Sequence, residues 1–127
     1  YNGIDWANGG LYVEGEREGD VTETNKEFWQ QAEGMVGFLD AYLLTKDEKY
    51  LDAFKNLHDF VFTKMINWDV GEWFALLDKK GDVTWDYMGT SWKTLYHTVR
   101  GMCETANRLK RIIEESETTP LKSMVTP

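Results

Sequence analysis

One cysteine, Cys103, in a chain of 127 residues excludes an intrachain disulfide framework and a cysteine-rich zinc site. Histidine is almost as scarce. His58 and His97 stand far apart, and neither belongs to an HExxH or comparable ligand spacing, so no metal and no cofactor are expected. No apolar run approaches the ~20 residues of a membrane-spanning helix, and no signal-peptide pattern is present. Positive charge is also short, with 14 Lys+Arg against 22 Asp+Glu and a formal net charge of -8. A nucleic-acid phosphate backbone would find no basic cluster able to release its counterions. The one cationic group, Arg108, Lys110 and Arg111, falls late in a helical stretch, where it complements the helix dipole. These absences leave neither a nucleic-acid nor a membrane partner, and the expectation is a soluble protein of a reducing, cytoplasmic compartment.

Aromatic residues, by contrast, are plentiful. Six each of Trp, Tyr and Phe in a chain that is 42% hydrophobic exclude disorder over most of the length. The length suits a single domain that buries about two-thirds of its extended surface. The sequence starts at Tyr1 rather than at a methionine and reads as the interior of something longer, a fragment.

Residues 1–23 hold five glycines around the alternation Leu11-Tyr12-Val13, which predicts a loop and then a β-hairpin turning at 16–20. Thr24 and Glu27 have capping-box spacing ahead of a first helix, and Thr45 and Glu48 repeat it ahead of a second. The first helix carries the stripe Phe28, Ala32, Met35, Leu39 and Tyr42, and beside it a second stripe of Trp29, Glu33, Val36 and Asp40. The second helix carries Leu51, Phe54, Leu57, Val61 and Met65, with Lys55, Asp59 and Lys64 outward. The period then changes: residues 72–77, a turn at 78–82 containing Gly81, and Val83-Thr84-Trp85 predict another hairpin. Gly89, Thr90 and Ser91 introduce a third helix with the stripe Val99, Cys103, Ala106, Leu109 and Ile113, which makes Cys103 a small core residue. After Glu117 the chain reads as a loose tail, residues 118–127.

The predicted class is therefore mainly α: antiparallel helical hairpins with short β-hairpin connections. Such repeating units close into toroids or stack into solenoids, and three helices cannot close a toroid.

Chemistry can be placed at two points. Trp29 and Glu33 lie four residues apart on one helix face. An indole offers a flat plate to the C–H face of a sugar, and a carboxylate accepts hydrogen bonds from paired hydroxyls. A core aromatic beside a solvated glutamate has the same spacing. Glu33 lies in the apolar half of its helix, where a carboxylate needs a partner or a wet cavity. His97 opens the third helix, where an imidazole can take and give a proton at neutral pH, although a structural histidine can also stand there. Arg100, one turn on, could fix an anionic group or an oxyanion beside it. His58, on the apolar edge of the second helix, reads as structural.

Four stretches carry a resemblance. Gly9-Gly10-Leu11-Tyr12-Val13-Glu14-Gly15, the segment Trp29-Gln30-Gln31-Ala32-Glu33, Gly71-Glu72-Trp73-Phe74, and the run from Trp92-Lys93 through Tyr96-His97 to Arg100 resemble, in order, motifs of the N-acylglucosamine 2-epimerase family. That family includes the cellobiose 2-epimerases and mannose isomerases. The resemblance covers roughly the last third of a family member. It implies an arc of an (α/α)6 barrel over residues 1–117 and a mono- or disaccharide substrate interconverted by proton transfer at C2 through an enediolate. It also implies that His97 is one of two catalytic histidines, that Glu33 binds the sugar or orients the acid/base group, and that Trp29 and Trp92 shape an aromatic floor. Leu95 stands where many relatives have proline and Thr98 where disaccharide epimerases tend to have asparagine. The second histidine of the family belongs to an H-x-x-E-W-type segment upstream, and this chain has none. The expectation is a C-terminal part that is inactive alone, partnered by the missing N-terminal part of the barrel and prone to self-association through exposed apolar surface. Two other readings stand beside it: part of an (α/α)6 glycoside hydrolase using Glu33 and Asp40, or a non-catalytic sugar-binding remnant.

Overall fold

The computed structural model describes residues 2–122. Three helices dominate: α1 (Phe28–Thr45), α2 (Lys49–Phe60), continued by a π-helical turn Val61–Met65, and α3 (Leu95–Lys122). Seven short strands, β1 (Glu14–Gly15), β2 (Val21–Glu23), β3 (Lys26–Glu27), β4 (Ile66–Asn67), β5 (Glu72–Trp73), β6 (Leu76–Leu77) and β7 (Val83–Trp85), connect them. No helix among the described residues is long and apolar enough to cross a membrane.

The first hairpin forms as the glycines predict, with β1 antiparallel to β2 and the turn closed by the Glu16 N–H donating to the Asp20 carbonyl at 2.7 Å. The second is more elaborate. Residues 72–77 do not form one strand, because the backbone changes partners in the middle. β5 pairs with β4, then the Phe74 N–H donates to the Met65 carbonyl and the Ala75 N–H to that of Trp85. β6 continues between β3 and β7 in a three-stranded sheet, and the tight turn at 78–82 places Gly81 at φ 89°.

That sheet determines where α1 begins. Neither capping box forms. Glu27, in β3, occupies the cap position in an extended conformation with no side-chain cap, and the Phe28 N–H goes instead to the Ala75 carbonyl. At α2 the cap position is Glu48, again without a side-chain bond, while Asp47 accepts from the Lys49 N–H.

Helix α1 lies in the middle and packs against both α2 and α3. The core joins Phe28, Ala32, Met35 and Leu39 of α1 to Phe54, Leu57 and Phe60 of α2, with Val61, Met65, Trp73 and Leu77. The stripe of α1 that begins at Phe28 and the stripe read for α2 are the inward ones, buried except at Tyr42 and Leu51, which are half-buried. The stripe read for α3 is not. Val99 and Ile113 are more than half exposed, and Cys103 and Ala106 face solvent. The face of α3 that meets α1 is Thr98, Gly101 and Thr105, small residues that let the backbones come close. A Cβ on Gly101 would stand 2.9 Å from the Cβ of Ala32 and 3.2 Å from its carbonyl oxygen. Periodicity cannot tell which face of a helix has a partner, and of this stripe Leu109 alone packs against the core, beside Met102 and Ile112. Helix α3 runs to Lys122, and residues 123–127 of the expected tail lie outside the described residues.

The close crossing gives a first prediction. Gly101→Ala should destabilise by about 1–3 kcal/mol through overpacking, against the usual helix preference for alanine. Urea unfolding checks the sign, and a stabilised variant would show that the helices are free to separate.

Candidate active site

The three residues that sequence singled out as polar chemistry come together where α1 and α3 cross. His97, in the first turn of α3, reaches Glu33, in the second turn of α1: the His97 Nδ1 lies 2.9 Å from Glu33 Oε1. A carboxylate only accepts, so Nδ1 carries the hydrogen, which fixes the tautomer and leaves Nε2 as the basic nitrogen. Arg100, one turn further along α3, donates through Nη1 to the other oxygen, Glu33 Oε2, at 2.6 Å. Glu33 is thus held from both sides. Its partial burial pushes its pKa up, but the hydrogen bonds from His97 and Arg100 outweigh this and lower it from the usual 4.5.

Aromatic rings frame the imidazole. Tyr96 meets it edge-on at 5.0 Å between centroids, Trp29 lies at 6.0 Å and Phe28 at 6.3 Å. In front of it opens a cavity of about 640 Å³, lined by His97, Trp29, Trp92, Phe28, Glu27, Ala75, Trp85, Tyr87, Thr90 and Lys93. The size and the aromatic lining suit a small organic ligand. Trp29 and Trp92 line it together, Trp29 at 40% exposure and Trp92, on the turn before α3, at 91%. Neither Glu33 nor Arg100 is among the lining residues, so Arg100 meets a carboxylate of the protein rather than the cavity. Asp40 lies apart, gripped by Nε and Nη2 of Arg108 at 2.6 and 3.0 Å.

Five contributors escaped the sequence reading as site residues. Lys93 is buried; it donates to the Met88 carbonyl at 2.9 Å, pairs with Glu72 at 3.2 Å and lies over the Phe28 ring. It ties the turn that carries Trp92 to β5 and to the start of α1. Thr90 shapes the same turn by accepting from the Trp92 and Lys93 N–H groups. Trp85 and Tyr87 stack at 5.7 Å on the far wall. Glu27 stands on the wall beside Trp29. Lys93 lies inside a recognisable motif, but its burial depends on the fold; the Trp85-x-Tyr87 pair was visible only as the end of a hairpin.

A second prediction follows from the lowered carboxyl. A group with a depressed folded-state pKa contributes stability above its unfolded value, and that contribution is lost as pH falls through the folded value. The gap in urea midpoint between wild type and Glu33→Gln should therefore shrink as pH is lowered from about 6 to about 3. A gap independent of pH would mean that the ionised carboxylate contributes nothing.

The family model for N-acylglucosamine 2-epimerase (GlcNAc 2-epimerase) matches residues 1–101. The D-mannose isomerase of Marinomonas mediterranea is 33% identical over 99 residues, 78% of this chain and 25% of that protein. The N-acylglucosamine 2-epimerase of Mus musculus is 26% identical over 127 residues, 97% of this chain and 30% of that protein. Among solved structures, cellobiose 2-epimerase from Bacillus thermoamylovorans B4167 superposes with a TM-score of 0.73 at 36% identity, covering 84% of this chain and 27% of that one. The chain thus spans between a quarter and a third of these relatives.

Proposed function

The chain belongs to the N-acylglucosamine 2-epimerase family, and from that premise we propose that it is the C-terminal part of a carbohydrate 2-epimerase or aldose–ketose isomerase, with residues 1–117 forming an arc of an (α/α)6 barrel. The observation that carries this reading is the relay Arg100–Glu33–His97 behind a cavity walled by tryptophans.

In the proposed reaction the open-chain sugar lies against Trp29 and Trp92, and Nε2 of His97 takes the proton from C2. The electron pair left on C2 flows into the C1 carbonyl, whose oxygen becomes that of an enediolate. His97 becomes an imidazolium, and Glu33, already hydrogen-bonded to Nδ1, stabilises that charge as it appears. Arg100 keeps Glu33 ionised and oriented, acting through it rather than on the sugar. Return of a proton to the opposite face of C2 re-forms the C1 carbonyl and gives the epimer; return to C1, with the O2 hydroxyl proton passing to O1, gives the ketose. A second acid/base group must serve the other face. These residues supply one histidine at the cavity, so the 127-residue chain alone is inactive and the remainder of the barrel completes the site. The exposed apolar face of α3 is where that remainder packs, and the isolated chain self-associates through it.

A glycoside hydrolase needs two carboxylates bracketing a glycosidic bond. Glu33 and Asp40 are both tied to arginine and neither lines the cavity, which leaves that alternative without its pair. A purely sugar-binding role would not need the fixed tautomer of His97.

Chromatography of mannose, N-acetylmannosamine and cellobiose incubated with the intact protein tests the reading. It predicts conversion of at least one to its 2-epimer or ketose. Release of free monosaccharide from cellobiose without epimer would replace this reading with the hydrolase, and binding without conversion would replace it with the sugar-binding one.

A further inference from the structure

We propose that Glu27 is a substrate-binding residue of this site, a carboxylate that receives a sugar hydroxyl and at the same time aims the Trp29 indole; the proposal rests on the sugar-converting reading above. Glu27 sits at the junction of strand and helix. Its backbone is pinned in β3 opposite Leu76 and its φ and ψ are extended, so its side chain leaves the sheet just before α1 begins. Trp29, two residues on, sends its Nε1–H back to Glu27 Oε2 at 2.9 Å. Both side chains line the main cavity.

This hydrogen bond does two things. An indole can turn about two side-chain torsions, and the bond to a residue fixed in a sheet selects one orientation of the plate beside His97. The carboxylate's other oxygen, Oε1, carries no hydrogen bond among the described residues, and Glu27 is one of the residues that line the cavity. A carboxylate oxygen next to an aromatic plate is the combination that holds a sugar, with hydroxyls donating to the oxygen while the C–H face lies on the ring. Glu33 is not among the residues lining the cavity, and its two oxygens already accept from His97 and Arg100. Among the described residues, Glu27 is the carboxylate that lines this cavity. It also lines a smaller recess of about 300 Å³ that shares Trp85 with the main cavity and includes Glu23 and Asn25. Glu27 therefore stands on the ridge between the two, where a substituent on the sugar would pass, and this makes it a determinant of which sugar fits.

The test compares the intact wild-type protein with Glu27→Gln and Glu27→Ala on mannose, N-acetylmannosamine and cellobiose. Loss of a hydrogen bond to a charged group predicts that Glu27→Ala raises KM by about ten- to a hundredfold on the preferred sugar, with a smaller change in kcat. Glu27→Gln keeps an oxygen for the indole but loses the charge, so it should recover part of that loss. A change in folding alone would not give this split or this partial recovery. If Glu27→Ala has the wild-type KM while His97→Asn is inactive, the assignment of Glu27 is overturned and the reaction stands. If the wild type converts none of the sugars, tryptophan-fluorescence titration with the same three decides. Binding that weakens in Glu27→Ala supports Glu27 although the reaction is wrong, and binding that is unchanged or undetectable overturns it.

Discussion

Replacing His97 by asparagine in the intact protein is expected to lower turnover by about a hundred- to ten-thousandfold, the usual contribution of a positioned acid/base group. Asparagine is close in size and can still donate a side-chain N–H to Glu33, so the crossing of α1 and α3 survives. It cannot take a proton from carbon. The loss should fall on kcat rather than KM, since Trp29 and Trp92 remain on the cavity wall. Circular dichroism and urea unfolding of the variant should match the wild type within about 1 kcal/mol, as for a half-exposed residue whose fold contacts are kept. A near-normal rate in a folded variant would remove His97 from the mechanism and leave the Arg100–Glu33–His97 relay as a structural tie between two helices.

The largest effect on stability is expected far from that histidine, at Asp5. Lys26 of β3 is fully buried, and its Nζ donates to Asp5 Oδ2 at 3.0 Å and to the Lys79 carbonyl at 2.8 Å, 4.7 Å above the Phe60 ring. Burial alone would raise the Asp5 carboxyl, but hydrogen bonds from the Asn8 backbone and side chain, from Lys26 and from Tyr12 hold it well below the usual carboxylate range. Burial likewise pushes Lys26 down, opposed by Asp5. Asp5→Ala leaves a buried ammonium without its hydrogen-bonded carboxylate, with the charge of Asp78 still favouring it, and should cost about 3–5 kcal/mol in urea unfolding. Adding Lys26→Met removes the orphaned charge, so the double variant should be more stable than Asp5→Ala. A single variant within 1 kcal/mol of wild type would show that water reaches the ammonium. Because Asp5 titrates low in the folded state, its contribution is complete above the unfolded carboxyl pKa near 3.8 and is lost as pH falls below it. The pair bears on function by position: it locks residues 2–11 onto the strand that ends at Glu27, two residues before Trp29.

What could be read from the sequence divides along a physical line. Signals that are local were legible. Gly19 and Gly81 at their turns, and the apolar stripes of α1 and α2, need only neighbours along the chain. The meeting of Glu33 with His97 was not read from spacing: the family resemblance implied only that Glu33 binds the sugar or orients the acid/base group, and the hydrogen bond to His97 Nδ1 comes from the crossing of α1 and α3. What was not legible depends on distant partners. The capping boxes at Thr24 and Thr45 lose to a sheet bond from the Phe28 N–H and to a turn built by Asp47. The buried face of α3 is Thr98, Gly101 and Thr105 because a close crossing selects small residues, not the most apolar ones. Lys26 and Lys93 are buried, and a lysine in a sequence reads as a solvated charge until its carboxylate is seen, here Asp5 and Glu72. Arg100, read as a ligand for substrate, is taken by Glu33 for the same reason.

The measurement closest to the central claim is isotope transfer at C2. The intact protein is incubated in deuterium oxide with mannose, N-acetylmannosamine or cellobiose, and the sugars are read by proton NMR. Deuterium should accumulate at C2 of at least one sugar or at the corresponding carbon of its product, and His97→Asn should slow this by about a hundred- to ten-thousandfold. Conversion of a sugar with no deuterium at C2 or C1, or unchanged exchange in His97→Asn, would contradict that claim.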